Sequence, residues 1–275
     1  MPEAAFPTRE AASLAAADFL RVGLETALAA RGRARIALSG GTTPGACYRA
    51  LAARLTDWSC VDIALVDDRV VPAEDPASNE RLLRACFPGA AVHPLFVPGA
   101  TPGEAVARRE AAYAGLRPFD AILLGLGPDG HSASWFPGAA GTARALDPAN
   151  PATLAAIDAT GSPVAGDQPH RLTLTLPPIA ECAHVGMLFF GADKKAVWDG
   201  SDRHPGRGEA AIRDLARFED SEVPDRGFAA SGMTSGGFAE SGMTDRGLAL
   251  SGMTATPIAA VRAALANRLA LFWAP

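Results

Sequence analysis

The sequence predicts an α/β fold, Rossmann-like, with a mostly parallel sheet and helices on both faces. Three observations carry this expectation. The apolar runs Ile36-Ala-Leu, Val61-Asp-Ile-Ala-Leu-Val and Phe119-Asp-Ala-Ile-Leu-Leu are nearly continuous, the pattern of strands buried on both faces. Stretches of helical spacing lie between them. Each run ends in small or charged residues, Ser39–Gly45, Asp67–Arg69 and Gly127–His131. Carboxyl ends of parallel strands share one edge, so these three segments are expected at a single cleft.

The elements follow in order. From Thr8 to about Arg31, Ala11, Leu14, Ala15, Phe19, Val22, Leu24 and Leu28 recur at roughly helical spacing, and Thr8 offers half a capping box. After Gly32 a strand runs into the Ser39–Gly45 turn, and a helix covers Pro44 to Leu55. The Val61–Val66 strand ends at Asp67-Asp68-Arg69, before a Pro-rich loop and a helix near Ser78 to Cys86. A helix near Thr101–Gly115 leads to the Phe119 strand, with a short helix starting at His131. Strands are expected at Thr153–Asp158, Arg171–Leu176, Val185–Phe190 and Leu269–Ala274, and helices near Asp193–Asp199 and Thr256–Asn267. Between the last two helices, Ser-Gly-Met-Thr recurs at 231, 241 and 251; these Gly-rich units read as a flexible loop rather than a solenoid. Upstream, Ala211, Leu215 and Phe218 suggest a short helix.

Composition narrows the function. A chain of 275 residues with 48% hydrophobic and 20% charged residues has the makeup of a soluble globular protein. A net charge of -5 gives no footprint for nucleic acid or an anionic membrane, so a bound anion must be caught locally. Lys194 and Lys195 are the only lysines in an Arg-rich chain. No apolar run approaches the ~20 residues of a membrane span, and no basic leader opens the chain. Cys47, Cys60, Cys86 and Cys182 lie far apart, as reduced thiols of a cytoplasmic protein do.

Three segments carry chemistry. In Ser39-Gly-Gly-Thr-Thr-Pro-Gly45 the glycines expose backbone N–H groups and the hydroxyls stand at a helix start, a cradle for phosphate; an ordinary strand-to-helix turn fits the local pattern equally well. The lysine of a nucleotide P-loop is missing. Asp67-Asp68-Arg69 suits a sugar hydroxyl, a catalytic His or a metal, and equally a solvated strand end. Gly125-Leu-Gly-Pro-Asp-Gly-His131 lacks the acidic residue that completes a dinucleotide site, and it presents an imidazole suited to general-base work near neutral pH. The remaining histidines show no metal-ligand spacing, and no Gly-x-Ser-x-Gly elbow is present.

Taken together, Ser39-Gly-Gly-Thr-Thr-Pro, Asp67-Asp-Arg with Ser78-Asn79, Gly125 to Gly138, Arg171-Leu-Thr-Leu-Thr-Leu-Pro, Gly191-Ala-Asp-Lys194 and the Pro257 to Pro275 tail resemble the 6-phosphogluconolactonase family, within the glucosamine-6-phosphate isomerase/deaminase-like group. The resemblance implies hydrolysis of 6-phospho-D-glucono-1,5-lactone to 6-phosphogluconate in the oxidative pentose phosphate pathway, with no cofactor or metal, by a monomer or homodimer. By position it implies that Ser39, Gly40, Gly41, Thr42 and Thr43 hold the phosphate with Arg69, Arg171 or Lys194. His131 would activate water, Asp67 would orient the sugar or tune the imidazole, and Arg69 is a candidate for stabilising the oxyanion. It also implies one lactonase-like domain over residues 1–275, with an insertion at 200–255 that contains the repeats of 226–255. The family's usual Asp-Glu-Arg is Asp67-Asp68-Arg69 here. An amino-sugar-phosphate deaminase or isomerase is the alternative enzyme; such relatives carry an Asn-Glu-Pro pattern where this chain has Ser134-Trp-Phe-Pro. A non-catalytic sugar-phosphate-binding module is the third reading.

Overall fold

The computed structural model describes residues 3–55, 57–201 and 256–275. The expected helix over 206–225 and the repeats of 226–255 lie outside the described residues.

The first strand, β1 (Glu3–Ala5), precedes helix α1 (Arg9–Arg31), whose N-cap Thr8 accepts from the Ala11 backbone N–H. Gly32, left-handed at φ 71°, ends α1. Strand β2 (Ala34–Leu38) leads into the glycine loop and α2 (Gly45–Ala52). Strands β3 (Val61–Leu65) and β4 (Asp67–Arg69) precede α3 (Asn79–Cys86) and β5 (Ala91–His93). Thr101 and Glu104 form a full capping box at the start of α4 (Pro102–Ala114), which leads to β6 (Ala121–Leu124). Then come α5 (Thr142–Leu146), β7 (Leu154–Asp158), β8 (His170–Leu174), α6 (Leu176–Glu181), β9 (Val185–Phe190) and α7 (Ala192–Gly200). Helix α8 (Pro257–Leu265), a single 3-10 turn and β10 (Leu269–Ala274) end the chain.

Seven strands form an all-parallel sheet in the order β1-β10-β9-β6-β2-β3-β5. Helices cover both faces, and α1 packs on α2 and on β10, β9 and β2. The central strands supply a continuous apolar core, in which Ile36, Leu38, Ile63, Leu65 and Ile122 are fully buried.

A second sheet was not foreseen. Strands β4, β8 and β7 pair antiparallel, so the Thr153 and Arg171 segments leave the parallel sheet and Asp67–Arg69 is itself a strand. Val66 makes the switch: its N–H donates to Leu38 O on β2 at 3.0 Å, while its carbonyl accepts from Leu174 N on β8 at 2.8 Å. One residue thus satisfies backbone groups in both sheets, and of the residues after it Asp67 and Arg69 face the gap between them. Strands β1 and β5, with three residues each, and α6, which opens on Leu-Pro-Pro, are too short for periodicity to show.

The short helix expected from His131 does not form. The His131 N–H donates to Asp129 Oδ1 at 3.2 Å in a local turn, Gly130 and Ala133 lie at φ 86° and 52°, and Ser132 bridges back to Trp135. Left-handed residues at two nearby positions preclude a helical turn, and the next helix begins at Thr142.

Candidate active site

The three polar segments meet. A cavity of about 380 Å³ opens at the carboxyl edge of the parallel sheet, between the two sheets. It is lined by all ten residues singled out in the sequence: Ser39, Gly40, Gly41, Thr42, Thr43, Asp67, Arg69, His131, Arg171 and Lys194. Leu126, Ala133, Val164 and Leu188 add apolar wall, and Asn79 joins the polar side.

The glycine loop begins where β2 ends. Ser39 N donates to Leu123 O at 3.2 Å, and the buried Tyr48 hydroxyl donates to Ser39 O at 2.5 Å, so the loop is tied to β6 and α2. Ser39 Oγ is buried without a hydrogen-bond partner in the wall of the cavity. The N-cap of α2 is Pro44, which has no side-chain oxygen to cap the first N–H groups. An anion in the loop would satisfy both. Gly40 is demanded by close approach, since a Cβ there would sit 1.8 Å from Asn79 Oδ1.

Asn79 joins the first two segments. Its Nδ2 donates to Asp67 O at 2.8 Å, and its Oδ1 lies 3.5 Å from Arg69 Nη1. Asp68, fully buried, points away from the cavity and accepts from Arg69 N, Asn79 N, Glu80 N and the Ser78 hydroxyl at 2.7–3.2 Å. Its carboxylate therefore anchors the start of α3 to β4. Burial outweighs these donors and pushes its pKa up to about 6.

Three cations face the cavity. Arg69 donates from Nη1 to Ala77 O at 2.6 Å, and its Nε is buried without a partner. Arg171 donates from Nε to Gln168 O and from Nη2 to Ala165 O, and its guanidinium lies 5.3 Å over the Phe136 ring. Burial, then the charge of Arg69, holds the Arg171 pKa below its ordinary value. Lys194 stands in the first turn of α7, half-buried, and burial lowers its pKa despite Asp193 alongside. Three concentrated positive charges in one wall call for an anion.

Asp67 is 7% exposed, and its Oδ2 accepts from Ser134 Oγ at 2.6 Å. The imidazole of His131 pairs instead with Asp129, whose Oδ1 lies 2.5 Å from Nδ1. The expectation that Asp67 tunes the ring is thus corrected on geometry: the carboxylate that bonds it lies two residues earlier, on the same turn. Burial raises the Asp129 pKa, but the hydrogen bond and charge of His131 outweigh it and hold the carboxyl below its ordinary value. Asp129 was missed because Asp-Gly-His reads as a turn; an Asp two residues before a cleft His was the available signal. Phe136 packs on the imidazole with ring centroids 4.5 Å apart, and a Cβ on Gly127 would sit 2.2 Å from the ring.

Other chemistries find less support. Burial pushes the Cys47 thiol up to about 12 and the Cys182 thiol up to about 11, far from a reactive thiolate. Among the described residues, no group of three His, Cys, Asp or Glu side chains is placed to hold a metal ion. No helix among them is long and apolar enough to cross a membrane.

The fold and the cavity define an α/β enzyme of the Rossmann-like class, with a glycine loop and a His–Asp pair at one sheet edge. The sequence profile of the glucosamine-6-phosphate isomerases/6-phosphogluconolactonase family matches residues 7–210. A 6-phosphogluconolactonase of Caulobacter vibrioides is 40% identical over 213 residues, 76% of this chain and 90% of that protein. One of Rhizobium meliloti is 37% identical over 218 residues, 77% of this chain and 92% of that protein. The crystal structure of a 6-phosphogluconolactonase from Shewanella baltica superposes with a TM-score of 0.75 at 26% identity, covering 98% of this chain and 96% of that one. The chain belongs to the glucosamine-6-phosphate isomerase/6-phosphogluconolactonase family.

Proposed function

We propose that this protein hydrolyses 6-phospho-D-glucono-1,5-lactone to 6-phosphogluconate in the oxidative pentose phosphate pathway, without a cofactor, as a cytoplasmic monomer or homodimer. The observation that carries the reading is one cavity lined by the glycine loop, three cations, a buried aspartate and the His131 imidazole, with Asp129 bonded to that ring.

The phosphate sits in the Ser39–Thr43 loop, held by backbone N–H groups, the hydroxyls and the Arg69, Arg171 and Lys194 charges. Anchored there, the lactone ring spans toward His131, and Asp67 accepts from a sugar hydroxyl. Asp129 takes the Nδ1 proton as a hydrogen bond, which leaves Nε2 unprotonated. Nε2 removes a proton from water as its oxygen attacks the lactone carbonyl. The tetrahedral intermediate then breaks the bond to the ring oxygen, which takes the proton back from the imidazolium. The product carboxylic acid loses its own proton at neutral pH. Cationic groups in the wall stabilise the oxyanion, with Arg69 Nε the unpartnered donor.

The deaminase reading loses ground at one position. Where the Asn-Glu-Pro pattern places a carboxylate before the proline, this chain has Phe136 packed against the imidazole. The single-domain reading over residues 1–275, with residues 200–255 inserted in it, rests on α7 and α8 both belonging to the fold described above.

The test is proton release on adding freshly generated lactone, corrected for spontaneous hydrolysis, with wild type and His131→Ala side by side. We expect fast release from wild type and a loss of at least about 100-fold in the variant. Wild type at the spontaneous rate rejects the lactonase reading; equal rates in both proteins reject His131 as the base.

A further inference from the structure

We infer that Ser134 is a positioning residue, which fixes Asp67 against the His131 loop so that substrate meets both groups in one geometry. The inference rests on the lactonase reading for its catalytic consequence and on hydrogen-bond geometry alone for its structural one.

Ser134 is fully buried and three residues beyond His131. Its hydroxyl donates to Asp67 Oδ2 at 2.6 Å, a short charge-assisted bond. Its backbone N–H lies 3.4 Å from Thr173 Oγ1, and Thr173 is the register partner of Asp67 across β4 and β8. Thr173 Oγ1 in turn donates to Val66 O or Leu174 O. Two side chains from different segments, Ser134 and Thr173, thus bind the His131 loop to the strand pair that carries Asp67. Trp135 adds a third tie, from Nε1 to Leu174 O at 3.0 Å.

No other side-chain donor reaches the Asp67 carboxylate among the described residues, although Asp67 is 7% exposed. Its remaining lone pairs are left for a ligand in the cavity that it lines. Removing the Ser134 hydroxyl would free the carboxylate to rotate, while the Ser134 N–H and Trp135 ties still hold the His131 loop to the strand pair. A displacement of about 1 Å at a reacting centre is worth up to about 100-fold in rate.

Ser132 supplies an internal control. It lies in the same turn, is 1% exposed, and its Oγ has no hydrogen-bond partner. Removing that hydroxyl takes one oxygen from the same buried turn without touching Asp67.

The experiment compares wild type, Ser134→Ala, Ser134→Cys and Ser132→Ala. Cys preserves volume at position 134 while supplying only a weak donor, so it reports even if the alanine variant fails to fold. Both position-134 variants are expected to lose at least about tenfold in kcat, with KM within about threefold because the phosphate-holding residues are untouched. Ser132→Ala is expected to match wild type. In parallel, the side-chain carboxyl carbon resonance of Asp67 is followed by NMR without substrate. It should move in both position-134 variants and stay in Ser132→Ala. Equal kcat and an unmoved resonance in the position-134 variants overturn the inference. If wild type shows no lactone turnover, the functional reading fails, and the Asp67 resonance alone decides whether Ser134 positions that carboxylate.

Discussion

Arg69 and Arg171 are register partners across the antiparallel β4/β8 pair, and both line the cavity. Like charges directly opposite one another destabilise a sheet, yet here each guanidinium is fixed from behind by backbone carbonyls, Ala77 O for one and Gln168 O and Ala165 O for the other. An anion bound between them would relieve the repulsion. 6-Phosphogluconate at about 100 times its Kd should therefore stabilise the wild type by about 2.7 kcal/mol. In a domain of this size that is roughly 5–11 °C in Tm. Arg69→Gln should retain about half of that shift or less and raise KM at least about tenfold, as read by thermal unfolding and steady-state kinetics. A full shift in the variant would remove Arg69 from the anion site.

Asp129 fixes which nitrogen of His131 carries the proton. Asp129→Asn keeps the size of the side chain but allows its amide to donate to Nδ1, which stabilises the tautomer with the proton on Nε2. We expect kcat to fall at least about 100-fold with product affinity within about threefold, measured by single-turnover kinetics and calorimetry. The pH dependence has a definite sign. The folded-state pKa of Asp129 lies below its ordinary value, so its stabilising contribution is present above the usual carboxylate range and is lost as pH falls through the lower folded value. The pair should consequently survive mild acid, and Asp129→Asn should be least distinguishable from wild type in stability at pH values below the usual carboxylate range.

Gly127 has no room for a side chain, because a Cβ would lie 2.2 Å from the His131 ring. Its backbone is not in the left-handed region, so alanine is penalised only through the imidazole. Gly127→Ala is expected to leave the far-ultraviolet circular dichroism unchanged and to lower kcat by about as much as removing His131. An unaffected kcat would show that the ring moves aside without consequence.

Asp68 is a structural carboxylate, distinct from Asp67 in the cavity wall and Asp129 on the His131 ring. Its pKa is raised to about 6 by burial, above the unfolded value near 3.9. A raised pKa means that its favourable contribution is complete below about pH 4 and is lost as pH rises through about 6. The ionised form consequently costs on the order of 3 kcal/mol at neutral pH. Asp68→Asn should gain stability relative to wild type as pH rises from 4 to 7, as followed by urea unfolding. A constant difference across that window would show that the helix-capping donors cancel the burial. This position also holds the chain's departure from the family's usual Asp-Glu-Arg, and it faces α3 rather than the cavity.

The parallel sheet was readable because strands buried on both faces must be apolar throughout, as Val61–Leu65, Ala121–Leu124 and Val185–Phe190 are. Eight of the ten cavity residues were readable because strand carboxyl ends share an edge, which converts three sequence segments into one place, whereas Arg171 and Lys194 came from the family resemblance alone. The antiparallel sheet was not, since a three-residue strand such as Asp67–Arg69 has no period and its pairing with β8 is set by Val66 satisfying partners in both sheets. Nor did spacing reveal the Ser134–Asp67 bond, which joins residues 67 positions apart. Local pattern thus determined the elements and the edge at which chemistry occurs. Which carboxylate holds the imidazole and which serine holds the other carboxylate depended on long-range packing and on turns with left-handed residues, because a hydrogen bond needs its partners within about 3 Å and composition carries no such distance.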